Sequence, residues 1–283
     1  MSSNVIVGRF AADMVPPVAL SFWRWTVAFL CLLPFTWRDI RARRVRVRER
    51  AGTIFLLALL GVTICGITPY VGLKVTTAIN GGLLFGFSPI LILVMSALVF
   101  REPVGGRQIA GVALAVAGVV VIVTAGEPAR LLALHFNPGD LWVMGSVVGW
   151  AIYSVLLKSR SPGLNSLTLL TLTAGAGVVE MAPIYAAEIL SGRTFAPTPD
   201  ALLSIAIVGL VSSVLAFSSY TWALGVVGPA KAGPFVYLMP VYNTVFAVLV
   251  LSEALRGFHL VGIGLILPGV MLATILAGRR TGR

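Results

Sequence analysis

The sequence has 283 residues, of which 58% are hydrophobic and 11% are charged, and its mean hydropathy is +0.98. Because soluble domains keep about a quarter of their residues charged, this composition excludes a soluble protein and indicates an integral membrane protein. The formal net charge of +11 is concentrated in one loop, so we expect no nucleic-acid partner.

Apolar stretches of about 20 residues, the length of a membrane-spanning helix, recur along the whole chain. We number these predicted spans 1 to 10 in chain order. Span 1 is the short segment 1–13, and spans 2 to 10 are 16–36, 51–73, 76–99, 107–125, 140–158, 165–189, 201–224, 230–251 and 258–277. The pattern predicts an all-α integral membrane protein with ten transmembrane helices and short loops.

Span 1 has too few residues to cross the hydrocarbon layer. When 1–9 is aligned on 150–158, residues 140–149 have no counterpart at the start of the chain. We therefore expect a first helix that is truncated at its N-terminus, with Asn4 and Arg9 as candidate substrate-binding residues. A nine-helix alternative, in which 1–13 does not insert, stays open.

Span 2 contains Arg24 about eight residues from its start, and seven arginines follow between Arg38 and Arg50. A charge inside hydrocarbon costs several kcal/mol unless it is paired or hydrated, so Arg24 is either a structural anchor, which we favour, or a substrate ligand. The arginine loop predicts a cytoplasmic position. With that loop inside, 15 basic residues lie inside and four outside, and both termini are predicted to be cytoplasmic.

Polar and aromatic side chains lie in the middle of several spans, and Lys74 lies at the outer turn between spans 3 and 4. A solute ring needs stacking faces, and its polar ends need a few hydrogen-bond donors. Beside Asn4 and Arg9, the candidate substrate-binding residues are Tyr70, Lys74, Asn80, Phe85, Trp150, Tyr153, Tyr220, Tyr237 and Asn243. Packing is the alternative role of each aromatic residue. By contrast, we expect Trp23, Trp25, Trp37 and Trp142 in the interfacial belt or facing lipid.

The end of the first half of the chain matches the end of the second half at an offset of 151 residues. Ten of the 35 positions in 89–123 are identical in 240–274, including a proline, an acid and three glycines. The match predicts an internal duplication, with repeats 1–125 and 126–283. Because each repeat has five spans, the two must insert in opposite orientations around a central cavity.

Helix-breaking residues occur at matched places in spans 4 and 9. In the 151-residue register, Gly82 aligns with Gly233, and Pro89 aligns with Pro240. Such breaks in two repeats point to a binding site or a hinge, and a structural proline kink is the alternative. The candidate hinge residues are Gly81, Gly82, Pro89, Gly233, Pro234 and Pro240.

The remaining polar signals are few. Glu180 in span 7 is a candidate partner of Arg24 or a proton-linked acid, and we favour a structural role. Regularly spaced glycines in spans 5 and 10 predict that these helices pair, within a monomer or across a weak homodimer. Two histidines and two cysteines predict no metal site and no cofactor.

Four stretches resemble one known family. They are PPVALSFWRW in span 2, FSPILILVMSALVFREPV in span 4, GDLWVMGSVVGWAIYSVLLK in span 6 and LMPVYNTVFAVLVLSEAL in span 9. The chain resembles the drug/metabolite transporter superfamily in its EamA-type ten-helix branch, and within it the YddG-like aromatic amino acid exporters. The resemblance implies a bacterial inner membrane carrier in which spans 1, 3, 4, 6, 8 and 9 surround the cavity, and spans 2, 5, 7 and 10 lie further out.

We therefore expect a transporter that exports small amphipathic metabolites, with aromatic amino acids as the predicted substrates, by alternating access. Basic groups near the pathway favour a carboxylate-bearing solute, and they leave a carrier of phosphorylated metabolites or nucleotide sugars as an alternative. A channel is another alternative, while an intramembrane enzyme is disfavoured by the lack of a G-x-S-x-G motif. Proton antiport and facilitated diffusion are both compatible with the sequence.

Overall fold

The structure is a computed structural model that describes residues 14–72, 74–76, 84–101, 104–127, 129–132, 138–159, 163–238, 241–242 and 256–274. Its secondary structure in these ranges is helical, with short connections. Among the described residues, six helices are long and apolar enough to cross a membrane. They correspond to spans 2, 3, 5, 6, 7 and 8 and are Pro17–Ala42, Ala51–Gly72, Gly106–Val123, Pro138–Ser159, Ser166–Leu190 and Pro199–Val227.

Shorter helices complete the described part of the chain. Leu84–Phe100 and Gly257–Ala273 are apolar and correspond to spans 4 and 10. Arg44–Glu49, Ala129–Leu132 and Pro229–Ala232 are short helices, and Gly233–Leu238 is a 3-10 helix. Span 1 and half of span 9 lie outside the described residues, so the count of ten helices stays a prediction.

The described helices form two compact units, and each unit takes helices from both halves of the sequence. Unit 1 consists of the described residues in 14–71 and 156–226, and contains spans 2, 3, 7 and 8. Unit 2 consists of those in 72–155 and 227–274, and contains spans 4, 5 and 10 and most of span 6.

Small residues allow the helices of unit 1 to approach closely. A Cβ atom on Gly175 of span 7 would lie 2.8 Å from the Phe29 ring of span 2, and one on Gly177 would overlap Val62 of span 3. Further along the same interface, the Thr36 hydroxyl donates to Thr171 Oγ1 at 3.1 Å. At Gly175 and Gly177, span 7 therefore packs so closely against spans 2 and 3 that a larger side chain would require its neighbours to move.

Unit 2 is built around an antiparallel pair, spans 5 and 10. Gly111 lies against Gly269, and Gly118 lies against Gly262, where a Cβ atom on Gly118 would be 2.6 Å from the Gly262 carbonyl oxygen. Side chains of both helices, with Tyr237, form one hydrophobic cluster. The predicted pairing of spans 5 and 10 is confirmed as packing within one chain.

Spans 3 and 8 both contain a π-helical segment, which the sequence analysis did not predict. These segments are Leu59–Ile64 and Val208–Ala216. In the 151-residue register, 59–64 falls on 210–215, which lies inside the second segment. Because a π-helical turn holds one extra residue and disturbs the regular hydrogen-bond ladder, such segments are frequent at functional sites.

Candidate solute-binding site

Arg24 is a buried charge in the middle of unit 1. Only 5% of its surface is exposed, and its Nη1 donates to Tyr70 Oη at 3.1 Å. The guanidinium also lies 5.2 Å from the centre of the Trp25 ring, which packs edge-on against Phe217. Since a guanidinium offers five donors in a planar fork, this position of span 2 is suited to a carboxylate.

The position of Trp25 differs from the sequence prediction, which placed it in the interfacial belt or facing lipid. It is fully buried at 0% exposure, so the expected lipid-facing position is wrong for this residue. Residues two apart on a helix point in nearly opposite directions, because each residue rotates by about 100°. Trp23 is exposed, and Trp25 must therefore face the interior of the unit.

Two acids of span 7 are both held by hydrogen bonds within unit 1. The Glu180 carboxylate accepts from Thr63 Oγ1, in the π-helical segment of span 3, at 2.6 Å. The Glu188 carboxylate accepts from the backbone N–H groups of Val18 at 3.3 Å and Ala19 at 2.8 Å. Sequence analysis singled out Glu180 and missed Glu188, whose contacts are 169 and 170 residues away.

Three hydroxyl groups in span 8 are buried without a hydrogen-bond partner among the described residues. They belong to Ser213, Ser218 and Thr221, in and just after the π-helical segment. Buried polar groups are nearly always satisfied, so such a group indicates water or a solute as its partner. Ser218 also borders an open cleft of about 600 Å³ between the start of span 7 and the end of span 8.

Unit 2 holds the other predicted aromatic residues. Trp150 and Tyr153 stack with ring centres 5.5 Å apart and an angle of 28° between their planes. Tyr153 and Tyr237 are each only 1% exposed, and the Tyr237 hydroxyl has no hydrogen-bond partner in the described ranges. Near the start of span 6, the Thr76 hydroxyl donates to the buried Asp140 carboxylate.

The predicted site residues thus fall into four groups: residues that contact one another, an exposed residue, residues at buried or helical positions, and residues outside the described ranges. The structure brings Tyr70 against Arg24 in unit 1 and Trp150 against Tyr153 in unit 2, whereas Lys74 is exposed. Partly or fully buried positions are Phe85, Pro89, Tyr220 and Pro234, and Gly233 begins the 3-10 helix. Outside the described residues lie Asn4, Arg9, Asn80, Gly81, Gly82, Pro240 and Asn243. Their substrate and hinge roles stay predictions.

The described part of the chain contains no cluster of three His, Cys, Asp or Glu residues that could hold a metal ion. The polar groups described above in unit 1 are the Arg24 guanidinium, the Tyr70 hydroxyl, the Glu180 and Glu188 carboxylates and the hydroxyl groups of span 8. Such groups bind and orient a solute through charge and hydrogen bonds.

Comparisons with known proteins identify the family of the chain. The model of the EamA-like transporter family matches residues 1–124 and again 137–275. The uncharacterized transporter YetK of Bacillus subtilis is 25% identical over 97% of this chain and 83% of its own length. A probable terminal-alkyne amino-acid exporter of Streptantibioticus cattleyicolor is 29% identical over 93% of this chain and 86% of its own.

Two further matches extend the comparison. A probable amino-acid metabolite efflux pump of Escherichia coli is 24% identical over 69% of each chain. One crystal structure superposes with a TM-score of 0.80 at 22% identity, covering 99% of this chain and 95% of its own. At that identity the structural match establishes the fold.

Proposed function

The chain belongs to the EamA-like transporter family, and we propose that it exports small amphipathic metabolites, with aromatic amino acids as the leading substrates, by alternating access. Two of the relatives are named as a probable amino-acid exporter and a probable amino-acid metabolite efflux pump, which supports a substrate that carries an amino group and a carboxylate. The bacterial relatives support an inner membrane location.

The observation that carries the proposal is the buried pair of Arg24 and Tyr70. A buried guanidinium inside a membrane helix attracts an anionic group and disfavours a cation. We assign the substrate carboxylate to Arg24, with the Tyr70 hydroxyl at 3.1 Å as the second polar contact. The buried hydroxyls of span 8, in the same unit, provide partners for the remaining polar atoms of the solute.

Contacts between spans 5 and 10 support the proposed inverted repeat. In the 151-residue register, Gly111 corresponds to Gly262, and Gly269 corresponds to Gly118. The contact of Gly111 with Gly269 therefore maps onto the contact of Gly262 with Gly118. An interface with two-fold symmetry has this property, because each contact is related to an equivalent contact by the symmetry axis. Inverted repeats produce such an interface between antiparallel helices.

Transport in proteoliposomes tests the proposal. We expect saturable flux of labelled phenylalanine and tryptophan, with slower flux of threonine and none in protein-free vesicles. A pH-sensitive dye inside the vesicles separates proton antiport from facilitated diffusion. Flux of a phosphorylated sugar with none of an amino acid would favour the phosphorylated-metabolite alternative, and absence of flux for all three amino acids would contradict the substrate assignment.

A further inference from the structure

We infer that Arg41, Arg44 and Arg48 form a binding site for the phosphate of an anionic phospholipid headgroup in the cytoplasmic leaflet. All three side chains are exposed at the inner end of unit 1. Arg41 lies in the last turn of span 2, and Arg44 and Arg48 lie in the short helix Arg44–Glu49.

The opposite side of this short helix is fixed to the body of unit 1. Arg46 and Arg43 each donate from Nη1 to the Gly163 carbonyl oxygen at 3.2 Å. Gly163 has a φ of +67°, and a Cβ atom there would lie 3.0 Å from Arg46 Nη1, so the approach favours glycine. Since Arg46 is rotated by about 160° to 200° from Arg48 and Arg44, these two arginines face away from the unit.

Nearby acidic residues do not neutralise the charges of Arg44 and Arg48, which face away from unit 1. Asp39 accepts hydrogen bonds from Arg43 Nε at 2.8 Å, from Thr168 Oγ1 at 2.7 Å and from Asn165 Nδ2 at 3.1 Å. Its carboxylate is therefore directed at the start of span 7. Glu49 is the other acid of the segment, and it lies about 100° around the helix from Arg48.

The spacing of Arg41 from exposed aromatic residues of span 2 fits the level of lipid phosphates. Phe35 and Trp37, which are 81% and 53% exposed, place apolar and interfacial side chains just before the cluster. Arg41 follows Trp37 by four residues, or about 6 Å of helix. The headgroup layer is about 5 to 8 Å thick on each side, so the guanidinium groups reach the level of the phosphates.

Native mass spectrometry of the full chain in neutral detergent tests this site, with dioleoyl phosphatidylglycerol and dioleoyl phosphatidylcholine as probes. The triple variant R41Q/R44Q/R48Q should bind phosphatidylglycerol on the order of 100-fold more weakly than the wild type, at roughly fivefold per arginine. The control R101Q/R107Q/R193Q removes the same charge from exposed positions elsewhere and should change binding by less than about threefold.

A second variant guards against a folding defect. R41K/R44K/R48K keeps the charge and should retain most of the phosphatidylglycerol binding, because the contact is electrostatic. Equal binding by the wild type and the glutamine variant, or equal loss in the control, would overturn the inference. Glycerol phosphate should not displace the lipid; displacement at equimolar concentration would assign the cluster to a soluble phosphate instead.

Discussion

At the scale of single residues, the position of Arg24 is compatible with both roles that the sequence left open, a structural anchor and a substrate ligand. Its contacts with Tyr70 and Trp25 hold the guanidinium in one place inside span 2. A structural anchor and a substrate ligand both benefit from such fixation. They differ in what fails when the charge is removed, namely stability for an anchor and substrate affinity for a ligand.

Arg24→Gln should reduce phenylalanine flux by about 10- to 100-fold, because a hydrogen bond to a charged group contributes about 1.5 to 3 kcal/mol. Tyr70→Phe should raise KM by about fivefold, the equivalent of one neutral hydrogen bond. Both are measured as initial rates in proteoliposomes, with exposed Arg107→Gln as the control. An anchor role would instead lower the melting temperature of Arg24→Gln and leave the KM of its folded fraction unchanged.

Glu188 supplies acceptors that span 2 cannot provide itself. Pro16 stands at the N-cap and has no side-chain oxygen, so the first backbone N–H groups of the helix need an outside partner. Glu188→Ala should destabilise the protein by about 1 to 3 kcal/mol, and Glu188→Gln by less, since the amide keeps an acceptor oxygen. Thermal melting in detergent measures both against Glu49→Ala, and equal melting temperatures for all three would refute the capping role.

The sequence revealed residues whose chemistry is unusual for a membrane helix, and it missed residues whose role depends on distant contacts. Arg24 and Tyr70 belong to the first kind. Glu188 belongs to the second, because its partners Val18 and Ala19 lie 170 and 169 residues earlier in the chain. Trp25 could have been assigned correctly, since its spacing from Trp23 already excludes a shared lipid-facing side.

At the scale of helices, two glycines of span 10 differ in their surroundings: one lies in a close helix–helix contact and the other does not. Gly262 and Gly264 lie two residues apart in span 10, yet a Cβ atom on Gly262 would meet Gly118 O at 2.9 Å and overlap Ile122, while one on Gly264 meets nothing within 4 Å. The same substitution at the two sites therefore isolates the helix contact.

Gly262→Ala should lower the melting temperature in detergent, because spans 5 and 10 must separate to make room for the methyl group. Gly264→Ala should leave it unchanged or raise it slightly, since alanine favours a helix by about 1 kcal/mol over glycine. Gly269→Ala, the counterpart of Gly118 in the other repeat, should behave like Gly262→Ala. Equal melting temperatures for Gly262→Ala and Gly264→Ala would contradict the packing assignment.

In the π-helical segment of span 8, we expect one substitution to raise the stability of the protein and to lower its transport rate. Ser213 is 0% exposed, and its hydroxyl lacks a partner in the part of the chain that the structure describes. Ser213→Ala should raise the melting temperature, by the equivalent of about 1 to 3 kcal/mol of desolvation, and lower phenylalanine flux if a solute uses the hydroxyl.

The matched control for this prediction is Ser21→Ala. Ser21 is equally buried, but its hydroxyl donates to the Gly66 carbonyl oxygen at 2.6 Å, so its loss should lower the melting temperature. If Ser213→Ala transports phenylalanine at the wild-type rate, the solute does not bind the Ser213 hydroxyl.

The length of the apolar runs located the helices of spans 2, 3, 5, 6, 7 and 8. A run of about 20 apolar residues has few other stable structures in a membrane. The run length could not locate the π-helical segments. One extra residue in a helical turn leaves the apolar composition unchanged, so neither hydropathy nor helix propensity registers it. The matched π-segments emerge only when the backbone is compared in the repeat register.

At the scale of the whole molecule, the repeats in sequence and the compact units in space divide the chain differently. Each unit combines spans from the two halves, so neither half packs as a separate bundle in the described residues. A sequence alignment detects the duplication because it compares positions in order. It cannot show which helices pack together, because that depends on three-dimensional contacts such as Gly118 with Gly262.

The last prediction concerns the orientation of the two repeats in the membrane. Two copies of five spans require the carboxyl end to lie on the same side as the Arg38–Arg50 loop, which the positive-inside rule places in the cytoplasm. Single cysteines test this in a background where Cys31 and Cys65 are replaced by alanine. In intact cells, an impermeant maleimide should label Thr194→Cys, in the exposed loop between spans 7 and 8, and should not label Val45→Cys or Arg283→Cys.

A fourth position, Ser2→Cys, tests whether span 1 crosses the membrane. Labelling only after the membrane is permeabilised indicates ten spans, because an inserted first helix leaves its start in the cytoplasm. Labelling in intact cells indicates nine spans, since a segment that does not insert stays outside ahead of span 2. Labelling of Arg283→Cys in intact cells would contradict both arrangements, because an inverted pair of five-span repeats cannot place its carboxyl end opposite the arginine loop.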